Sequence, residues 1–151
     1  MATIGDYFVY LVIVAGGWFA RLLSPKAADS FGVCIGNTAW VVWGSRRRVA
    51  LDNLRASFGE TKSEPELQAI AKSVFQNIGR TLVEITRFPK LGLSGAKAIM
   101  RYEAASIMDT LHTGGKGGIF VTAHFGNWEL LSAAPKAFRN YEMDVIVAEQ
   151  H

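Results

Sequence analysis

The chain has 151 residues, 50% of them hydrophobic and 19% charged, with a net charge of +3 and a pI near 9.2. A single cysteine, Cys34 in an apolar stretch, excludes an intrachain disulfide, and His112, His124 and His151 have no metal-ligand spacing. The basic balance and positive mean hydropathy suit a protein that meets an anionic surface. With no nucleic-acid motif and arginines not interleaved with exposed aromatics, nucleic acid is not an expected partner.

In chain order, Tyr7 to Leu23 carries no charge until Arg21 and is interrupted by Gly16-Gly17. That is marginal for a span, which needs ~20 apolar residues, and is read as an apolar N-terminal membrane-anchoring helix. A cleaved signal peptide is not expected, because Met1 to Asp6 holds no Lys or Arg and no small-x-small site follows cleanly. Phe31 to Trp43 is a second apolar stretch that ends at Gly44-Ser45 and runs into Arg46-Arg47-Arg48. Tryptophans 18, 40 and 43 near the ends and the following positive charge fit an interface-anchored element with its basic side to the cytoplasm. A helix buried in a soluble core fits the second stretch equally. Arg46, Arg47, Arg48 and Arg55 recur at helical spacing with Val49, Leu51, Leu54 and Phe58, so the segment can lay an apolar face down with arginines along its flank. Anionic phospholipid or a phosphorylated lipid would suit that face, and so would plain solvation of the charges.

Ser63 and Glu66 form a capping box. After it, Leu67, Ile70, Ala71, Val74, Phe75, Ile78, Leu82 and Ile85 predict one long amphipathic helix up to Pro89 with a core-facing stripe, and Arg80 and Glu84 support it at i, i+4. Ile99 to Tyr102 is a short predicted strand and Ala104 to Leu111 a short helix. The loop Thr113 to Gly118 lacks P-loop spacing, since Lys116 is followed by glycines rather than by Ser or Thr at a helix start, and reads as a helix-to-strand turn. Gly118 to Ala123 (GIFVTA) has the pattern of a strand buried on both faces. His124 falls at its end. Gly126 can take backbone angles closed to other residues, Asn127 is a good N-cap, and a helix opens at Trp128 until Pro135 bends or interrupts it. Asp144 to Glu149 predicts a second buried strand two residues before the sequence stops. Parallel strands need neighbours to cover their faces and edges, so the chain is expected to be the N-terminal half of a longer protein.

The chemistry concentrates at His124 and Glu129. The turn folds the chain so that a carboxylate in the first helical turn can return toward the imidazole. Such a pair supports proton abstraction from a hydroxyl, the carboxylate holding one imidazole nitrogen while the other accepts the proton. Free amides at the helix start add a place for an anion. No Ser or Cys nucleophile accompanies the pair, which favours direct transfer over a covalent intermediate. As a bare spacing, the same residues fit a glutamate that complements the helix dipole and a histidine bonded to a backbone carbonyl.

The block HFGNWELL after an apolar strand and a Gly-rich turn resembles the signature of the bacterial lipid A biosynthesis acyltransferases, of the late lauroyl and myristoyl type, within the wider H-x4-D/E glycerolipid acyltransferase group. The apolar N-terminus, RRRVALDNLRASFG with Asn53-Leu54 and Phe58, and Phe75-Gln76-Asn77-Ile78-Gly79-Arg80 with Glu84 resemble that family in the same order, over about Tyr7 to His151. Family members are about twice this length. The resemblance implies an α/β fold, a mixed or parallel sheet flanked by helices, divided here as a membrane-associated helical segment over 1–45 and the N-terminal part of the acyltransferase domain over 46–151. It implies transfer of a fatty acyl chain from acyl-acyl carrier protein, or acyl-CoA, to a hydroxyl of a lipid A precursor, with no cofactor. His124 would be the base and Glu129 would orient it. Gly126, Asn127, Lys116, Arg46, Arg47 and Arg48 would meet substrate, Lys116 as a contact for the carrier protein or a lipid phosphate. The site would face the cytoplasm at the inner membrane. Ala148 to His151 stands where the family often has an arginine, which leaves a phosphatidylinositol mannoside, glycerolipid or aminolipid open as acceptor. A non-catalytic membrane-associated module is the alternative of another class.

Overall fold

The computed structural model describes residues 4–101, 103, 105–115, 117–121, 123, 125–142 and 144. Regular structure among them is helical: α1 (Ile4–Leu22), α2 (Pro25–Val42), α3 (Gly44–Phe58), α4 (Glu64–Ile99), α5 (Ala105–Thr113), α6 (Trp128–Leu131) and α7 (Ala134–Arg139). The chain divides into two compact units, Met1–Arg87 and Phe88–His151.

In the first unit, the breaks between helices follow local chemistry. Pro25 disfavours helical angles at the residue before it and suits the first helical position. Ser24 accordingly takes φ −64° and ψ 161°, and its Oγ accepts from the Ala27 amide at 3.3 Å to cap α2. Before α4, the Glu66 carboxylate accepts from the Ser63 amide at 2.8 Å and from its hydroxyl at 2.6 Å, as the capping pattern requires. Arg55 near the end of α3 donates to both Glu64 oxygens, at 3.0 and 2.6 Å, and to Asp52 at 2.9 Å. These bonds raise the guanidinium's pKa further, and Arg55 in turn lowers that of Glu64.

The centre of this unit is the meeting of α2 with α4. α2 buries Ala28, Gly32 and Gly36, a row of small residues four apart. α4 buries Leu67, Ala71, Phe75, Gly79, Val83 and Arg87, also four apart. Rows at i, i+4 are the ridges that two helices fit into each other's grooves. The glycines let backbone meet backbone. A Cβ on Gly79 would lie 2.1 Å from the Gly32 carbonyl oxygen, and one on Gly36 would lie 2.4 Å from the Phe75 oxygen. The helices are antiparallel, since Asp29 accepts from Arg80 at 2.8 Å and Asn37 accepts from Gln76 at 2.9 Å. Arg80 also donates to Asn77 within α4 at 2.9 Å, so the one guanidinium bonds both along α4 and across to α2. Phe75 adds an edge-to-face contact with Trp40, at 5.4 Å between ring centres.

α1 joins through its last turn. Arg87 is only 7% exposed, and its guanidinium donates to the carbonyls of Ala20 and of Leu23, the latter at 2.8 Å. Arg21 donates back to the Thr86 carbonyl at 2.8 Å. The Ala20 and Leu23 carbonyls lie at and just beyond the end of α1, where the helix no longer supplies its own donors, so Arg87 adds donors there. Ala20, Ala28 and Val83 form the buried cluster, packed by Leu23, Phe31 and Ile35.

Several expectations are corrected. The amphipathic stripe of α4 is wider than what is buried: Val74, Ile78 and Leu82 are exposed, because a crossing with one small-residue row covers one ridge. The helix also passes Pro89 and breaks at Gly92, whose φ of 59° and ψ of −167° are not helical. α3 buries none of its apolar residues. The N-terminal segment is a helix, but no helix among the described residues is long and apolar enough to cross a membrane. Asp6 and Arg21 bracket α1 and leave its apolar part well short of the ~20 residues a span requires. Among the described residues there is no strand and no helix long and apolar enough to span, so the expectation of an α/β sheet with an apolar membrane-anchoring helix is corrected to an all-helical arrangement there.

The second unit opens with the tail of α4. Ile99 is helical, so the strand expected over Ile99 to Tyr102 does not form, Tyr102 itself lying outside the described residues. The described part of Gly118 to Ala123 forms no ladder, with Ile119 and Val121 at 95% and 93% exposure. A strand is stabilised by its neighbours, and no described segment is extended beside this one to pair with it. The expected strand from Asp144 to Glu149 lies outside the described residues, except Asp144.

The glycine crossing predicts opposite outcomes at two positions. Gly79→Ala is expected to lower stability by about 1–3 kcal/mol through overpacking. Gly16→Ala in α1, where a Cβ meets nothing within 4 Å, is expected to raise it by about 0.5–1 kcal/mol. Urea unfolding followed by far-ultraviolet circular dichroism measures both.

Candidate active site

The turn after the apolar run is built as its residue types require. Gly126 has φ +59°, a left-handed angle that costs glycine little. Asn127 follows as the N-cap of α6, its Oδ1 accepting from the Leu130 amide at 3.4 Å. Glu129 then falls in the first turn of α6, where negative charge is favoured by the exposed amides. It is exposed, while Leu130 beside it is buried and pins the turn. The helix stops at Leu131, with the Ser132 hydroxyl donating to the Glu129 carbonyl at 2.7 Å. Pro135 stands in the first turn of α7, which opens at Ala134, so the helix begun at Trp128 is interrupted between Leu131 and Ala134.

What holds this segment in its unit is the packing of α5 on α7. Asp109 accepts from Arg139 Nε at 2.8 and 3.0 Å and from the Tyr141 hydroxyl at 3.1 Å. The His112 ring stacks on Tyr141 with centroids 4.1 Å apart. Hydrogen bonding from Arg139, helped by Tyr141, lowers the Asp109 pKa; burial first, and then the bond to Asp109, raises that of Tyr141. Met108, Leu130, Ala134 and Pro135 supply the buried apolar surface. Asn140 closes α7 in the left-handed region, at φ 57°.

Of the residues singled out in the sequence, Gly126, Asn127 and Glu129 thus share one turn. His124 and Lys116 lie outside the described residues. Arg46, Arg47 and Arg48 stand in the first turns of α3, in the first unit. They differ from one another. Arg47 donates to the Trp40 carbonyl at 3.1 Å and lies over the Trp40 ring, 5.3 Å from its centre, so it ties α3 to α2. Arg46 and Arg48 are exposed. Among the described residues no three His, Cys, Asp or Glu side chains gather as a metal ion would require. The Asp109 cluster and buried Arg87 were not anticipated. Arg87 could have been found as the sixth member of the every-fourth-residue row that begins at Leu67.

The family model described as bacterial lipid A biosynthesis acyltransferase matches residues 2–147, nearly the whole chain. The chain belongs to that family. Membership in the lipid A biosynthesis acyltransferases supports an acyltransferase function and implies a lipid acceptor and an acyl donor. Neither the curated proteins nor the solved structures supply a further match.

The Asp109 cluster gives a pH dependence with a definite sign. A carboxyl whose pKa is lower folded than unfolded contributes stability above the unfolded value, about 3.9, and loses it as pH falls through the folded one. Asp109→Asn should therefore flatten the acid limb of melting temperature against pH below about 4, relative to the unaltered protein. Thermal melts across that range check it, and an unchanged acid limb would show that Asp109 contributes nothing there.

Proposed function

We propose that this chain transfers a fatty acyl group from acyl-acyl carrier protein to a hydroxyl of a lipid A precursor, with His124 as general base and Glu129 as its orienting carboxylate. The family match over residues 2–147 carries the reading. Supporting it is the turn itself: Gly126 takes a left-handed φ, Asn127 caps α6, and Glu129 stands exposed in the first turn, five positions after His124 in the sequence.

In this mechanism the base takes the proton of the acceptor hydroxyl as its oxygen attacks the thioester carbon. The C–O ester bond forms and the C–S bond breaks. The proton passes to the departing thiolate. Imidazole suits both steps, because it holds and releases a proton near neutral pH. Glu129 would set the imidazole's orientation and stabilise its charged form. We place the reaction at the cytoplasmic side of the inner membrane, where a lipid acceptor and a soluble carrier-borne donor can meet. Lys116 and the arginines of α3 are proposed to meet anionic groups of donor or acceptor.

His124→Ala should reduce transfer roughly 10²- to 10⁴-fold, and Glu129→Ala somewhat less, with folding retained. The check is mass spectrometry of lipid A from a Gram-negative strain lacking its late acyltransferases and expressing either form. A gain of one acyl chain that requires His124 supports the reading, and its mass names the chain. A gain that persists with His124→Ala removes the mechanism, and no gain with well-expressed protein removes the acceptor.

A further inference from the structure

Along the first unit, the same crossing that joins α2 to α4 leaves an open groove of about 740 Å³ beside it. The glycines at the crossing put no side chain into this space, so its floor there is backbone and its walls are apolar, with Phe31, Ile78 and Leu82 among them. Ile78 and Leu82 are more than half exposed although they belong to the apolar stripe of α4. From Phe31 to Val42 the groove follows about three turns of α2, roughly 16 Å at the helical rise. At the Val42 end the chemistry changes. Trp43 borders it, and Arg46 enters from the first turn of α3. Arg46 is exposed and meets no carboxylate among the described residues, unlike Arg55 and Arg80.

We infer that this groove binds a monomeric long-chain carboxylate amphiphile, its alkyl chain along the apolar walls and its head group on Arg46. The volume and the apolar lining with few polar groups are those of a small-molecule site. The polar end selects the head group. One guanidinium, with no second cation on the lining, matches one planar, singly charged anion, which it can hold through two parallel hydrogen bonds. A neutral head would leave that fork unused. This inference concerns binding in the first unit and does not rest on the chemistry proposed for His124 and Glu129.

Cys34 makes the test direct, because it lies on the groove wall, is exposed, and is the chain's only cysteine. The rate of its modification by iodoacetamide, read by mass of the whole chain, is measured with sodium dodecanoate at monomeric concentrations and with dodecanol as the neutral comparison. Dodecanoate should slow modification saturably, and dodecanol should need about tenfold more for the same effect, the worth of one charge-assisted contact. Arg46→Gln should abolish that difference while preserving protection by dodecanol. Leu82→Gln, which places an amide on the wall, should weaken protection by both. The inference is overturned if neither amphiphile protects Cys34, or if both protect equally in the unaltered chain. It is overturned equally if only anionic phospholipid vesicles protect, which would make the face a bilayer contact, or if raising the protein concentration alone protects, which would make it a contact between copies.

Discussion

Everything in the first unit depends on how closely two backbones can approach at Gly32, Gly36 and Gly79. With no Cβ at these positions, α2 and α4 meet through main-chain atoms. That proximity fixes the register for all the neighbouring contacts. Asp29 comes opposite Arg80 and Asn37 opposite Gln76 only because the glycines have set the register. The exposed ion pair would be worth little by itself, on the order of a few tenths of a kcal/mol to one. Its value is directional: it distinguishes this antiparallel register from one slipped by a turn. The close packing supplies dispersion contacts over the length of the crossing, and these carry the larger share.

Arg87 extends the same logic to α1. It continues the buried row of α4 beyond Val83, so a straight helix delivers a cation to where α1 ends. A buried guanidinium without partners would be strongly destabilising. Here it meets carbonyls at the terminus of α1, the negative end of the helix dipole. Two groups that each cost energy when buried alone thus satisfy one another. In the second unit, Asp109 plays the comparable part by joining Arg139 at the end of α7, and Tyr141 just after it, to α5.

Local features of this fold were legible in the sequence, and features requiring a partner were not. Ser63 with Glu66, Gly126, Asn127 and Pro135 act within a few residues, and each behaves as its side chain dictates. The long helix was legible from its apolar period. Which of its ridges would be covered was not, because that depends on the width of the opposing helix face. The small-residue row of α2 carried this information, but Gly32 and Gly36 add nothing to a hydrophobic pattern. For the candidate site, the turn and the first-turn position of Glu129 could be read from residue types alone. The role of Arg47 could not, since its neighbours in the sequence are charged while its partner is the Trp40 ring and carbonyl on another helix.

The run from Gly118 to Phe125 shows why residue preference and structure can part. Its β-branched and aromatic residues do avoid helix: the described positions are extended or irregular between α5 and α6. Preference therefore excluded one state without establishing the other. A strand differs from a helix in that none of its backbone hydrogen bonds are internal, so a single segment cannot complete them whatever its composition. A helix, by contrast, closes its backbone hydrogen bonds within its own segment, and packing then stabilises it. Ile119, Val121 and Phe125, at 95%, 93% and 88% exposure, have the side chains of a buried strand but not the pairing that would bury them. The candidate site stands at this boundary, with Glu129 in the first turn of α6, while His124, two positions before Gly126 in the sequence, lies outside the described residues. Of the two elements expected to meet there, the helical one carries its cap within a few residues, whereas an extended segment needs a partner distant in sequence to complete its hydrogen bonds.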